Sequence, residues 1–65
     1  MTEDEVREML RAAVAQAGSQ GAWAKAAGIS QAYAHDVLNR RRAPGASILA
    51  ALGLERVVTY RRVKP

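Results

Sequence analysis

Ser19-Gln20-Gly21-Ala22-Trp23-Ala24-Lys25-Ala26-Ala27-Gly28-Ile29-Ser30-Gln31 is the stretch that decides how this chain folds. Ser19 is a good helix cap, so a short helix is expected over residues 20–27, with Trp23, Ala24 and Ala27 facing inward. Gly28 supplies the left-handed stop. Ile29 then plugs the turn, and Ser30 caps a third helix over residues 31–39 whose inward residues are Ala34, Val37 and Leu38. Two short helices joined by a glycine turn are a weak signal alone. The spacing is more specific: Gln20, Ala24 and Gly28 recur every four residues, and Ile29 follows. Ala24 must be small where the two helices cross, and Gly28 takes a backbone angle that a side chain would resist.

On the N-terminal side, Thr2 and Glu5 form a capping box, and Glu3, Asp4 and Glu5 suit the positive end of a helix dipole. Val6, Leu10, Val14 and Ala17 recur at helical spacing up to Gly18, which predicts a first helix over residues 3–17. On the C-terminal side, Asn39-Arg40-Arg41-Arg42-Ala43 reads as a basic loop. Pro44 suits the first turn of a fourth helix, with Ile48, Leu49 and Leu52 as its apolar face and Gly53 as its end. Beyond residue 54 the pattern changes. Val57, Val58, Thr59, Tyr60 and Val63 are strand formers. Alternation puts Val57, Thr59, Arg61 and Val63 on one face, with Val58, Tyr60 and Arg62 on the other. A lone strand is unstable in water, and no other segment here reads as a strand. The expected partner is its copy in a second subunit, antiparallel about a two-fold axis, the alternative being that Val58 and Tyr60 fold back onto the first helix.

The chain has 65 residues and no cysteine. A domain this small buries only about 60% of its unfolded surface, and no disulfide or zinc-thiolate site can reinforce it. Support must come from close helix packing or from a second subunit. No run of apolar residues is long enough to span a membrane, and the acidic start does not suit a targeting peptide, so a cytoplasmic protein is expected. Charge is unevenly placed. Residues 1–38 carry three basic against five acidic side chains, a net of −2, and residues 39–65 carry seven against one, a net of +6. Six of the ten cations lie in two clusters, Arg40–Arg42 and Arg61, Arg62 and Lys64. Clustered cations suit a phosphate backbone better than a point anion.

The 19–31 stretch, Val37-Leu38-Asn39, the Arg-Arg-Ala-Pro segment at 41–44, Ile48-Leu49 and Leu52-Gly53-Leu54 together resemble the lambda-repressor and Cro-like helix-turn-helix family. The resemblance covers residues 3–54 and is nearest to the small Cro-type regulators of phages and prophages. It implies an all-α domain of four to five helices over residues 1–54, followed here by the strand segment at 55–65. It also implies a transcriptional regulator, a repressor by occlusion, whose third helix lies in the major groove of double-stranded DNA while the second crosses the backbone. Base reading would fall to Gln31, Ala32 and Asp36, flanked by Tyr33 and His35. Gln31 can bond adenine bidentately, and Ala32 can meet a thymine methyl. Backbone contacts would fall to Gln20, Ser30, Asn39, Arg40, Arg41 and Arg42. A homodimer joined by Val57, Val58, Thr59, Tyr60, Arg61 and Val63 would hold two third helices about 34 Å apart, matching a two-fold operator. Two positions depart from the family pattern. Ala34 stands where a β-branched residue is usual, and Arg40 stands where glycine often follows the asparagine. Either Asn39 itself takes the left-handed turn, or the helix runs on a residue or two.

Plainer readings stand beside these. Trp23 faces inward and belongs to the core rather than to a stacking platform. Tyr33 either stacks on the sugar-phosphate edge or covers the small Ala34, with nothing to separate the two. Asp36 and Arg40 are four apart on a helix and suit a simple surface pair as well as base reading does. His35 is a single imidazole with no ligand cluster around it, so no metal is implied. Ser19 and Ser30 are caps with no base beside them; no enzyme, cofactor or small-molecule ligand is expected. Arg61, Arg62 and Lys64 also serve to keep an edge strand soluble. Two other functions compete: an antitoxin whose C-terminal segment binds a protein partner, and an accessory DNA binder without sequence preference.

Overall fold

The structure, a computed structural model, describes residues 1–57 and 61–63. Four helices follow one another among these residues: α1 (Glu3–Ala17), α2 (Gln20–Ala27), α3 (Gln31–Leu38) and α4 (Ala46–Ala51). The protein is all-α there, and no helix among the described residues is long and apolar enough to cross a membrane. The first three helices pack on one another around Leu10, Trp23, Ala24, Ala34 and Val37, and Ile48 of α4 completes the core. Trp23 is a core residue, as its inward position predicts. Ala17 is exposed, because α1 has already passed the end of the core by its last turn.

Capping chemistry sets most boundaries. The Thr2 hydroxyl accepts from the Glu5 amide and the Glu5 carboxylate accepts from the Thr2 amide, each at 3.2 Å. Ser19 accepts from the Ala22 amide at 3.0 Å, and Ser30 from the Tyr33 amide at 3.1 Å. Gly18, Gly28 and Gly53 all have positive φ, at 100°, 70° and 75°. Helices α2, α3 and α4 end in the same double hydrogen bond. After α2 the Gly28 and Ile29 amides bond the carbonyls of Lys25 and Ala24, and after α4 the Gly53 and Leu54 amides bond those of Ala50 and Leu49. After α3 the same two bonds run from Arg40 to Val37 and from Arg41 to Asp36. The left-handed residue at this turn is therefore Arg40, with φ 62°, and not Asn39, whose φ is −92°.

One further expectation is corrected. Pro44 does not open the fourth helix: it is buried ahead of it, and α4 begins after Gly45. Gly45 stays extended as the N-cap, with φ −89° and ψ −179°, and its amide donates to the Tyr33 hydroxyl at 2.7 Å. No strand is seen among the described residues, and the middle of the expected C-terminal strand falls outside them. Val57 and Val63, at its expected ends, are exposed, while Val58, Thr59 and Tyr60 lie outside the described residues. A single chain offers such a segment no edge to pair with.

One polar side chain enters the interior. Arg7, on the first turns of α1, is only 8% exposed. Its Nε donates to the Val37 carbonyl at 2.8 Å, and its Nη2 donates to the Arg42 carbonyl at 3.1 Å. Nη1 lies 3.5 Å from the Asp4 carboxylate and 3.8 Å from that of Glu3. The guanidinium thus sits at the negative end of α3 and fastens the loop that follows it to α1. Its fork of donors in one plane lets a single side chain serve both carbonyls and the carboxylates.

Removing that fork strands two carbonyls in a closed space. Arg7→Met should lower unfolding stability by about 2–4 kcal/mol in urea titrations, and Arg7→Lys should restore only part of it. A loss under about 0.5 kcal/mol would mean that the buried guanidinium does not hold α3 and its loop. The Tyr33–Gly45 contact gives a second test. A Cβ on Gly45 would overlap the Tyr33 hydroxyl oxygen, whereas the ring carbon behind it lies at an ordinary 3.5 Å. Gly45→Ala should therefore cost about 1–3 kcal/mol alone and much less in a Tyr33→Phe background, a coupling of about 1 kcal/mol in a double-mutant cycle. Simple additivity would exclude the contact.

Candidate functional site

The outer face of α3 and the start of α2 enclose a shallow groove lined by Gln20, Gln31, Ala32, His35 and Asp36. Four of the five residues expected to read bases are in that lining, together with Gln20, expected on the backbone. The helical period explains this, since positions 31, 32, 35 and 36 share one side of a helix. Gln31 and Ala32 are exposed, and Asp36 is partly so. The Gln31 amide lies over Gly21, where its oxygen would stand 3.3 Å from an added Cβ. Gly21 therefore makes room for Gln31 beside α2, a role that sequence reading did not assign; its signal was a residue without a side chain on the exposed start of α2.

Polar side chains tie this face together. His35 Nδ1 lies 3.2 Å from Gln20 Oε1, an atom that can only accept. Asn39 Nδ2 lies 3.1 Å from His35 Nε2 and donates to the His35 carbonyl at 2.8 Å. Asn39 Nδ2 also lies 3.3 Å from His35 Nδ1, so the Asn39 amide sits over the imidazole. Gln20, His35 and Asn39 are thus neighbours along the outer side, from α2 to the end of α3. Ser30 is occupied as a cap.

Tyr33 is the exception among the expected base readers. It is half-buried against the core, and its hydroxyl accepts from Gly45. The ring carries the Arg42 guanidinium 4.9 Å from its centroid. Tyr33 therefore packs against the core and meets the basic loop, and it is not among the residues lining the groove. It is an amphipathic residue used at both ends, with its ring against apolar carbon and its oxygen on a backbone amide.

The three loop arginines are differently engaged. Arg42 lies on the Tyr33 ring. Arg40 pairs with Asp4 at 3.1 Å, not with Asp36. Arg41 is exposed and has no side-chain partner among the described residues. The backbone at Arg40 is strained: a left-handed non-glycine residue costs on the order of 1 kcal/mol. The Arg40–Asp4 pair is exposed at both ends, 70% and 62%, and such pairs contribute about 0.2–1 kcal/mol. The pair does not exceed the strain, so folding gives no reason to prefer arginine over glycine here.

A second concavity lies between the start of α1 and the end of α4, where Met1, Val6, Pro44, Leu49, Leu54 and Val57 are joined by Thr2, Glu3, Glu55 and Arg56. It marks where the C-terminal segment leaves the domain. Among the described residues no group of three or more acidic, histidine or cysteine side chains is placed to hold a metal. Searches of family models, curated proteins and solved structures return no match for this chain.

Proposed function

We propose that this chain is a sequence-specific double-stranded DNA-binding regulator of the lambda-repressor and Cro-like type, acting as a repressor on a two-fold operator. The observation that carries the reading is the composition of one face. Gln31, Ala32 and Asp36 line an open groove on α3, and the basic loop of Arg40–Arg42 directly follows that helix. Amide and carboxylate groups can read base edges, and the adjoining cations can meet the phosphates that flank them. The tertiary ties from Arg7 and Tyr33 hold the loop in a fixed relation to α3, which favours recognition by preorganisation.

Dimerisation is part of the proposal. The segment from Val57 to Val63 pairs antiparallel with its copy, so that Val57, Val58, Thr59, Tyr60, Arg61 and Val63 form the interface. Exposure of Val57 and Val63 in the single chain, at 73% and 79%, supports a segment that completes itself elsewhere. Two third helices held this way span successive major grooves.

Selection of bound sequences from random DNA tests binding and specificity together. A motif with two half-sites about 10 base pairs apart is expected. Gln31→Ala should cost about 1–3 kcal/mol at one base pair and relax selectivity there, while Arg41→Ala should weaken all sequences alike and reduce the salt slope by about one. Enrichment of no motif would favour an accessory binder, and no DNA binding at all would overturn the reading. Separately, truncation after Arg56 should leave a folded monomer with weaker operator binding. Sedimentation of the full chain at micromolar concentration as a monomer, free and on DNA, would place the tail on its own domain instead.

A further inference from the structure

We propose that Asp4 and Arg40 form a releasable ion pair that sets the strength of DNA binding. Arg40 is the loop cation that exchanges the Asp4 carboxylate for a backbone phosphate, and Asp4 is an internal competitor of the nucleic acid. The inference rests on the DNA-binding reading above.

Two independent observations lead to it. The first is the left-handed backbone at Arg40. Among the described residues the three other left-handed positions are Gly18, Gly28 and Gly53, glycines at turns where no side chain is needed. An arginine takes the one such position that opens the basic loop, where its exposed pair does not offset its strain. Residues held in sparsely populated conformations without local compensation point to a use for the side chain.

The second observation is the wiring of the pair. Asp4 is the carboxylate nearest to both Arg40, at 3.1 Å, and Arg7, at 3.5 Å. When Arg40 leaves, Asp4 keeps Arg7 as a partner, and Arg7 keeps its two carbonyls. Release therefore strands no buried charge. The other two loop cations are arranged differently, since Arg41 has no side-chain partner among the described residues and Arg42 rests on an aromatic ring. Only Arg40 must give up a carboxylate to reach a phosphate, so only its contact is weakened by a residue of α1. Because phosphate carries no base identity, the effect is the same on every sequence.

The control is Glu3→Gln, which removes the same charge one residue away and touches Arg7 at 3.8 Å. Fluorescence anisotropy across a salt series, on a selected site and on a scrambled duplex, compares it with Asp4→Asn. Asp4→Asn should bind both duplexes roughly two- to fivefold more tightly than Glu3→Gln, the size of an exposed ion pair. Arg40→Gln should reduce the salt slope by about one, and in that background Asp4→Asn and Glu3→Gln should bind alike. Arg40→Gly should move the urea midpoint up while weakening DNA binding. Equal affinities of Asp4→Asn and Glu3→Gln with Arg40 present would overturn the inference, as would an unchanged slope for Arg40→Gln or a lowered midpoint for Arg40→Gly. If the wild-type chain binds neither duplex at any salt, the DNA-binding reading falls and takes the inference with it. If it binds and the two variants agree, only the ion pair falls.

Discussion

The buried guanidinium of Arg7 is the constraint on which the rest of the structure depends. A chain of 65 residues without cysteine has little apolar area with which to fix four short helices. Arg7 supplies a directional link instead. It joins α1 to the last carbonyls of α3 and to the loop beyond, at distances of 2.8 and 3.1 Å. Burying a cation is costly unless it is paired and bonded. Here the carbonyls at a helix C-terminus and the carboxylates of Glu3 and Asp4 together meet that condition. Once α3 is fastened, the Tyr33 hydroxyl can meet Gly45 and the basic loop has one course to follow.

Much of the fold was legible because its information is local. Thr2, Ser19 and Ser30 are side chains that cap, and Gly18, Gly28 and Gly53 are residues that stop a helix, so the spans of α1 and α2 could be read directly. The turn after α3 was not legible in this way. Asn39 is the residue whose intrinsic preference suits a left-handed backbone, and Arg40 is not, yet the hydrogen bonds of the helix end fall on Arg40. The start of α4 was misplaced for a similar reason. Pro44 is well suited to a first helical turn, yet Gly45 stays extended as the N-cap and donates its amide to Tyr33. In neither place does the intrinsic preference of one residue decide the outcome.

The same division runs through the candidate site. Gln31, Ala32, His35 and Asp36 followed from the resemblance to the helix-turn-helix family, and the structure groups them with Gln20. Tyr33 could not be placed from its neighbours, because an aromatic alcohol suits a wet edge and a half-buried niche equally well. The separate duties of Arg40, Arg41 and Arg42 were hidden too, since they depend on what α1 brings alongside. Arg7 did leave a trace. It lies three residues before Leu10 and seven before Val14, within the apolar stripe of α1, and a charged residue in such a stripe has a buried partner to find.

The Arg7 contacts also carry a kinetic meaning. They join residues 30 and 35 positions apart, whereas the helix caps and glycine stops act between near neighbours. Local pieces of such a chain can form quickly, and contacts that close long loops come later. Interactions absent from the folding transition state act mainly on the rate of unfolding. Where the Arg7 contacts close after the barrier, they set the residence time of the assembled α3 face and not the speed with which it forms.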